Sequence, residues 1–123
     1  MNFTPDMNDG QNVFVFGSNE AGAHAGGAAS EALCHWGAFL NVGFGPQGDS
    51  FAIPTMDWNM KALPLETIQH YVARFLDFAH QTKGAKFLVT PIGTGICGYK
   101  PEQIAPMFKL APRNCVLPDG WRK

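Results

Sequence analysis

The sequence predicts an α/β fold in which a mixed, mostly parallel sheet carries helices on its faces. Three observations predict it. Val13–Phe16 and Lys86–Ile92 are short apolar runs of the kind that forms strands buried on both sides. Segments of helical character alternate with these runs, and such alternation places crossover helices on the faces of a sheet. Both runs also lead into glycine-rich stretches, Gly17–Ala29 and Gly93–Tyr99, as strand–turn–helix units do.

Taken in order, residues 1–11 (MNFTPDMNDGQ) are a polar lead-in with Pro5 and Gly10. Val13–Phe16 is the first strand. After its glycine loop, Ala28–Trp36 (AASEALCHW) holds good helix formers, and Gly37 reads as the C-cap. Phe39–Phe44 reads as a strand interrupted by Gly43 and Gly45. Residues 45–49 (GPQGD) read as a turn, and Ser50–Ile53 as a strand stopped by Pro54. Residues 55–63 (TMDWNMKAL) have no period and read as an ordered loop.

Pro64 opens the clearest helix. Leu65, Ile68, Val72, Phe75, Leu76 and Ala79 follow steps of three and four and form one apolar stripe. Glu66, His70, Arg74 and Asp77 fall on the opposite face, where modest surface pairs are expected. Gly84 marks the end. Lys86–Ile92 then runs into the second glycine loop, and a helix starts near Pro101-Glu102, with proline in its usual first position. Asn114–Leu117 reads as a last strand and residues 118–123 as a tail. The chain has no internal repeat and no low-complexity tract.

A chain of 123 residues is one domain with room for a core. The net charge of −1, without a basic cluster, argues against a nucleic-acid surface built on phosphate neutralisation and against a polybasic membrane patch. No apolar run is long enough to span a bilayer, and residues 1–6 do not form a signal peptide, so a cytoplasmic location is expected. Cys34, Cys97 and Cys115 are odd in number, far apart and without a CxxC or Cys/His pattern. Reduced, partly buried thiols are expected, with no zinc site and no disulfide framework. Neither a metal nor a cofactor is implied.

Two glycine-rich loops leaving two buried strands suit one task. Glycines let the backbone approach a ligand, and free N–H groups at a helix start bind anions without charged side chains. A pyrophosphate held between such loops suits a chain with few positive charges. The bland alternative is a pair of tight turns. The GxGxxG spacing is absent, and so is GxxxxGK[ST], which excludes the Rossmann fingerprint and the P-loop.

Taken together, the loops resemble those of the macro domain, the ADP-ribose-binding fold. In that family a strand ends in Asn-Ala-Ala-Asn and a run such as His-Gly-Gly-Gly-Val-Ala follows. Phe16-Gly17-Ser18-Asn19 and His24-Ala25-Gly26-Gly27-Ala28-Ala29 fall at the matching spacing. The family's second loop, Pro-x-x-Ser-x-Gly-Ile-Tyr-Gly-Tyr-Pro, is similar to Pro91-Ile92-Gly93-Thr94-Gly95-Ile96-Cys97-Gly98-Tyr99-Lys100-Pro101. The chain is also similar to small uncharacterised bacterial and phage proteins with a Phe-Gly-Ser-Asn…His-x-x-Gly-Ala-Ala signature.

The resemblance spans roughly Val13 to Phe108 and implies a three-layer macro-like domain over 1–123 that binds an ADP-ribose-like small molecule. It places Asn19 at the distal ribose, with Gly17 and Ser18 beside it. Gly26, Gly27 and Ala28 line the diphosphate and ribose on one side, and Thr94, Gly95, Ile96, Cys97 and Gly98 clasp the diphosphate on the other, with Gly93 before them as a further binding candidate. Cys97 stands where the family has a stacking aromatic, a role for which Tyr99 is the substitute candidate. The family's adenine-reading aspartate has only Asp6 and Asp9 as counterparts.

Catalysis finds less support. Ala29 occupies the position of the aspartate found in one hydrolytic kind of macro domain, and no lysine nucleophile lies between Val13 and Asn19. The catalytic candidates are His24 and Asp57, with a Cys97–His24 pair as a thiolate alternative. His24 also reads as a hydrogen-bond group at the ligand's edge, and Asp57 and Trp58 as a wall of the pocket. The sequence thus reads as a binder of ADP-ribose or a related nucleotide. The alternatives are an ADP-ribosyl or ADP-ribose-phosphate hydrolase and a partner-binding module without ligand.

Overall fold

The computed structural model describes residues 10–24 and 26–122. Most of the lead-in, including Asp6 and Asp9, lies outside the described residues, as do Ala25 and Lys123. The elements are β1 (Asn12–Asn19), α1 (Gly27–His35), β2 (Gly45–Gln47), β3 (Ser50–Met56), α2 (Leu65–Gln81), β4 (Lys86–Val89), α3 (Pro101–Ile104) and β5 (Cys115–Val116). A 3-10 turn, Ala105–Phe108, continues α3. The five strands form one sheet in the order β2-β3-β1-β4-β5. β1 pairs in parallel with β3 and β4, β4 in parallel with β5, and only β2 runs antiparallel to β3. The α/β class and the mixed, mostly parallel sheet agree with the sequence. No described helix is long and apolar enough to cross a membrane.

The pleat of β1 divides the core. Val13 and Val15 join Phe51, Ile53 and Phe87 of the flanking strands and Ile68, Val72 and Phe75 of α2. Phe14 and Phe16 turn to the other face, where Ala29 and Ala32 of α1 meet Ala52. Phe75 anchors the larger core, with ring centroids 4.9 Å from Phe51 and 5.4 Å from Phe87 in edge-to-face geometry. Truncating it to alanine would cost about 3–5 kcal/mol. On the smaller face the alanines of α1 permit close approach to the sheet, and Trp36 stacks on Phe14 at 5.1 Å.

The sequence places α1 and α2 well. Gly37 follows α1 in the left-handed conformation (φ +76°), where Cβ would meet Gly48 Cα at 3.1 Å. The apolar stripe of α2 is buried except Leu65, which is half-buried, and Glu66, His70, Arg74 and Asp77 are exposed. α2 stops at Gln81, short of Gly84, as the Thr82 hydroxyl donates to Phe78 O and the Asn114 amide caps Ala79 O and Thr82 O.

Elsewhere the boundaries move. Phe39–Phe44 is a loop, not a strand; its N–H groups go to side-chain and loop acceptors, Phe39 to Gln47 Oε1 and Asn41 to Gly22 O. Gly45–Gln47, expected as part of a turn, is β2. β3 runs through Pro54 to Met56 because β2 reaches only Ala52. At Pro54 β3 has no partner strand on that side, so a missing N–H is tolerated. β4 ends at Val89, since Pro91 has no N–H and Ile92 turns back to Thr90 O. Asn114–Leu117 contracts to Cys115–Val116. The tail is built into the fold: Trp121 is buried on Phe108, and the Arg122 guanidinium donates to the carbonyls of Ala111, Pro112 and Cys115.

Candidate ligand-binding cleft

From β1 the chain crosses to β3 on one side of the sheet, whereas from β4 it moves outward to β5 on the other. β1 and β4 are neighbours whose connections diverge, so a crevice opens beyond their carboxyl ends, the usual ligand site of open α/β sheets. The two glycine loops leave these two strands. They line a cleft of about 280 Å³ with Gly17 at its floor, Gly26, Gly27 and Ala28 on one wall, and Thr94, Gly95, Ile96 and Cys97 on the other. A second lobe, also about 280 Å³, shares Gly17, Gly26, Met56 and Ile96 with the first and is completed by Ser18, Asn19, Ala23, Ala29 and Met60.

Among the described residues, no charged side chain lines either lobe. Donors come from the backbone. α1 begins in the cleft wall with no acidic residue in its first turn and no side-chain cap on Gly26. The N–H groups of Gly27 and Ala28, and across the cleft those of Gly95, Ile96 and Cys97, have no acceptor among the described residues. The N-terminal end of α1 adds a partial positive charge to that row. Such a cleft favours an anion whose charge is spread rather than concentrated. At Gly26 and Gly95 an added Cβ would meet nothing within 4 Å, so both positions open onto free space.

Several predicted residues also shape the site through bonds to their own loops. The Ser18 hydroxyl donates to Gly43 O. Asn19 is buried; its Oδ1 accepts the N–H of Ala23 at 3.0 Å while its Nδ2 donates to Ala23 O at 3.0 Å, so the amide holds the loop. Gly43 lies so close under Asn19 O and Glu20 that a Cβ has no room. Gly93 turns the second loop at φ +74° against Ile104. The Thr94 hydroxyl donates to Pro91 O at 2.7 Å. Gly98, at φ +89°, closes a turn through its N–H to Gly95 O. The Tyr99 hydroxyl donates to Leu63 O at 2.7 Å, and its ring packs on the larger core, not in the cleft.

The candidates for catalysis are not brought together. His24 is buried, set edge-on to Phe16 at 5.1 Å, and lines neither lobe. Gln47 Nε2 donates to Val42 O and Gly45 O, which makes its Oε1 an acceptor for the Nε2–H of His24 at 3.2 Å. His24 Nδ1 is then a buried acceptor without a partner among the described residues. Cys97 faces the first lobe with Sγ 3.2 Å from Thr55 O, and burial pushes its thiol above the usual cysteine range despite that bond. Asp57 accepts the N–H groups of Asn59 and Lys61 and so closes a loop. Asp57 and Trp58 line neither lobe; Met56 and Met60 of the same stretch do.

Sequence reasoning passed over Thr55, Met56, Thr90 and Met60. Thr55 and Thr90 stand at or just beyond the carboxyl ends of β3 and β4, a signal available only once the strand order is known. Gln47, fully buried, carried no signal in its Gly-Pro-Gln-Gly context. Comparisons with protein-family models, with curated proteins and with solved structures found no match to this chain.

Proposed function

We propose that this chain is a macro-like domain, its helices layered on both faces of the sheet, that binds ADP-ribose or a related nucleotide between its two glycine loops. The observation that carries the reading is the meeting of both loops in one cleft, at the point where the connections of β1 and β4 diverge. The family-like motifs at Gly17–Ala28 and Pro91–Tyr99 supply the two walls. Backbone N–H groups receive the diphosphate, and Asn19 acts by holding the loop that presents Gly26 and Gly27.

Binding is favoured over hydrolysis by what the candidate acids and bases are doing. His24 is sequestered beneath the loop, Asp57 is spent on backbone donors, and the Cys97 thiol is held in its protonated form by burial. Isothermal titration calorimetry with ADP-ribose, and with AMP and NAD as controls, tests the reading. Micromolar binding of ADP-ribose supports it. No heat with any of the three overturns it.

A further inference from the structure

The second lobe differs from the first in chemistry. Its two polar side chains are buried and partly committed, Ser18 donating to Gly43 O and Asn19 giving one N–H and one oxygen lone pair to Ala23. The large side chains open to a ligand are apolar: Met56 from the end of β3, Met60 from the loop after it, and Ile96 from the second glycine loop. Met60 is 51% exposed and Ile96 89% exposed, so two large apolar side chains stand in water at one lobe. Met60 is also held in the left-handed region (φ +63°), where a residue with a Cβ is strained. The holding is specific: Asp57 N–H donates to Lys61 O, Met60 N–H to Asp57 O, and Asp57 Oδ1 takes the N–H groups of Asn59 and Lys61.

We propose that this lobe is the seat of a flat, uncharged ring carried by the phosphate-bearing ligand, with Met56, Met60 and Ile96 packed against it. The inference rests on the proposed anion cradle, since the ring enters a lobe continuous with it through Gly17 and Gly26. A sugar in this lobe would turn hydroxyls against Met56, Met60, Ile96 and two alanines, and a hydroxyl left unpaired there loses its hydrogen bonds to water. An aromatic heterocycle loses nothing comparable and gains contact with two polarisable thioethers, which favour aromatic rings. The ligand class is therefore a nucleotide whose ring, not its ribose, lies beside Asn19.

The test is NMR of the full chain labelled with ¹³C at the methionine methyl groups, titrated with ADP-ribose and separately with ribose 5-phosphate. Met60→Leu and Met56→Leu assign the two signals. A ring stacked on the thioethers moves both methyl signals upfield with ADP-ribose and not with ribose 5-phosphate. Met60→Ala, which lies in the second lobe alone, then weakens ADP-ribose about tenfold, in line with the apolar contact removed, and leaves ribose 5-phosphate unaffected. Equal movement with both ligands, or none while ADP-ribose binds, overturns the ring seat. Methyl shifts with ADP-ribose whose affinity survives Gly95→Val, a change confined to the first lobe, keep the ring seat and remove the anion cradle. No response to either ligand removes both.

Discussion

His24 and Gln47 are joined through Nε2 and Oε1 at 3.2 Å, both side chains buried. Gln47 Oε1 also receives the N–H of Phe39 at 2.8 Å, and its Nε2 donates to the carbonyls of Val42 and Gly45. One amide thus ties His24, in the loop before α1, to the stretch from Phe39 to Gly45.

Gln47→Leu keeps most of the volume and strands four backbone or ring groups in the interior. Each buried unpaired group costs about 1–3 kcal/mol, so the variant should lose about 3 kcal/mol or more of unfolding free energy in urea titration. A loss below about 0.5 kcal/mol, the ordinary effect of a surface change, would show that the amide is not the hub described.

Gly26 and Gly27 separate stability from binding. Gly26 has φ −156°, an extended conformation open to any residue, and an added side chain meets open space in the cleft. Gly26→Val should leave the melting temperature unchanged and abolish nucleotide binding by calorimetry. Gly27 sits at φ +57°, so Gly27→Val should bind no better and also cost about 1–2 kcal/mol of stability. Full affinity in Gly26→Val would mean that the ligand does not use this wall.

The fold was legible where a period ran long enough to have one meaning. The stripe from Ile68 to Ala79 allowed a single helix, and Val13–Phe16 a single buried strand. Legibility failed where tertiary pairing overrode local grammar. Pro54 looked like a stop and is tolerated because β2 ends opposite Ala52, which no local pattern records. At the cleft, the glycines announced the two walls, since backbone approach is written in the residue type. His24 and Tyr99 are turned away from the cleft by partners, Gln47 and Leu63, that lie 23 and 36 residues away and leave no local signal.

The three thiols should react in a fixed order. Cys34 is exposed on α1, Cys97 is half-buried with its thiol raised by desolvation, and Cys115 is buried with its thiol pushed up to about 12, burial outweighing the nearby Arg122. Alkylation follows thiolate population and access. Iodoacetamide at neutral pH followed by peptide mass spectrometry should label Cys34 first, Cys97 slowly and Cys115 only after unfolding. Early labelling of Cys97 would revive a reactive thiol in the cleft. Ligand in the first lobe should protect Cys97 and leave Cys34 unchanged.

Tyr71 links α2 to the start of the first glycine loop, its hydroxyl donating to Glu20 Oε2 at 2.9 Å. Burial first, then the bond to Glu20 and its charge, raise the phenol above its ordinary 10.0, with Arg74 opposing. The folded state therefore favours the neutral phenol. The stabilisation is fully present below pH 10 and is lost as pH climbs through the raised value. Wild type should melt above Tyr71→Phe at about pH 8, and the gap should close at strongly alkaline pH, because ionisation breaks the link that the variant never had. A gap that stays constant with pH would assign the difference to packing around Phe44, whose ring lies 5.3 Å from that of Tyr71, and not to the Glu20 bond.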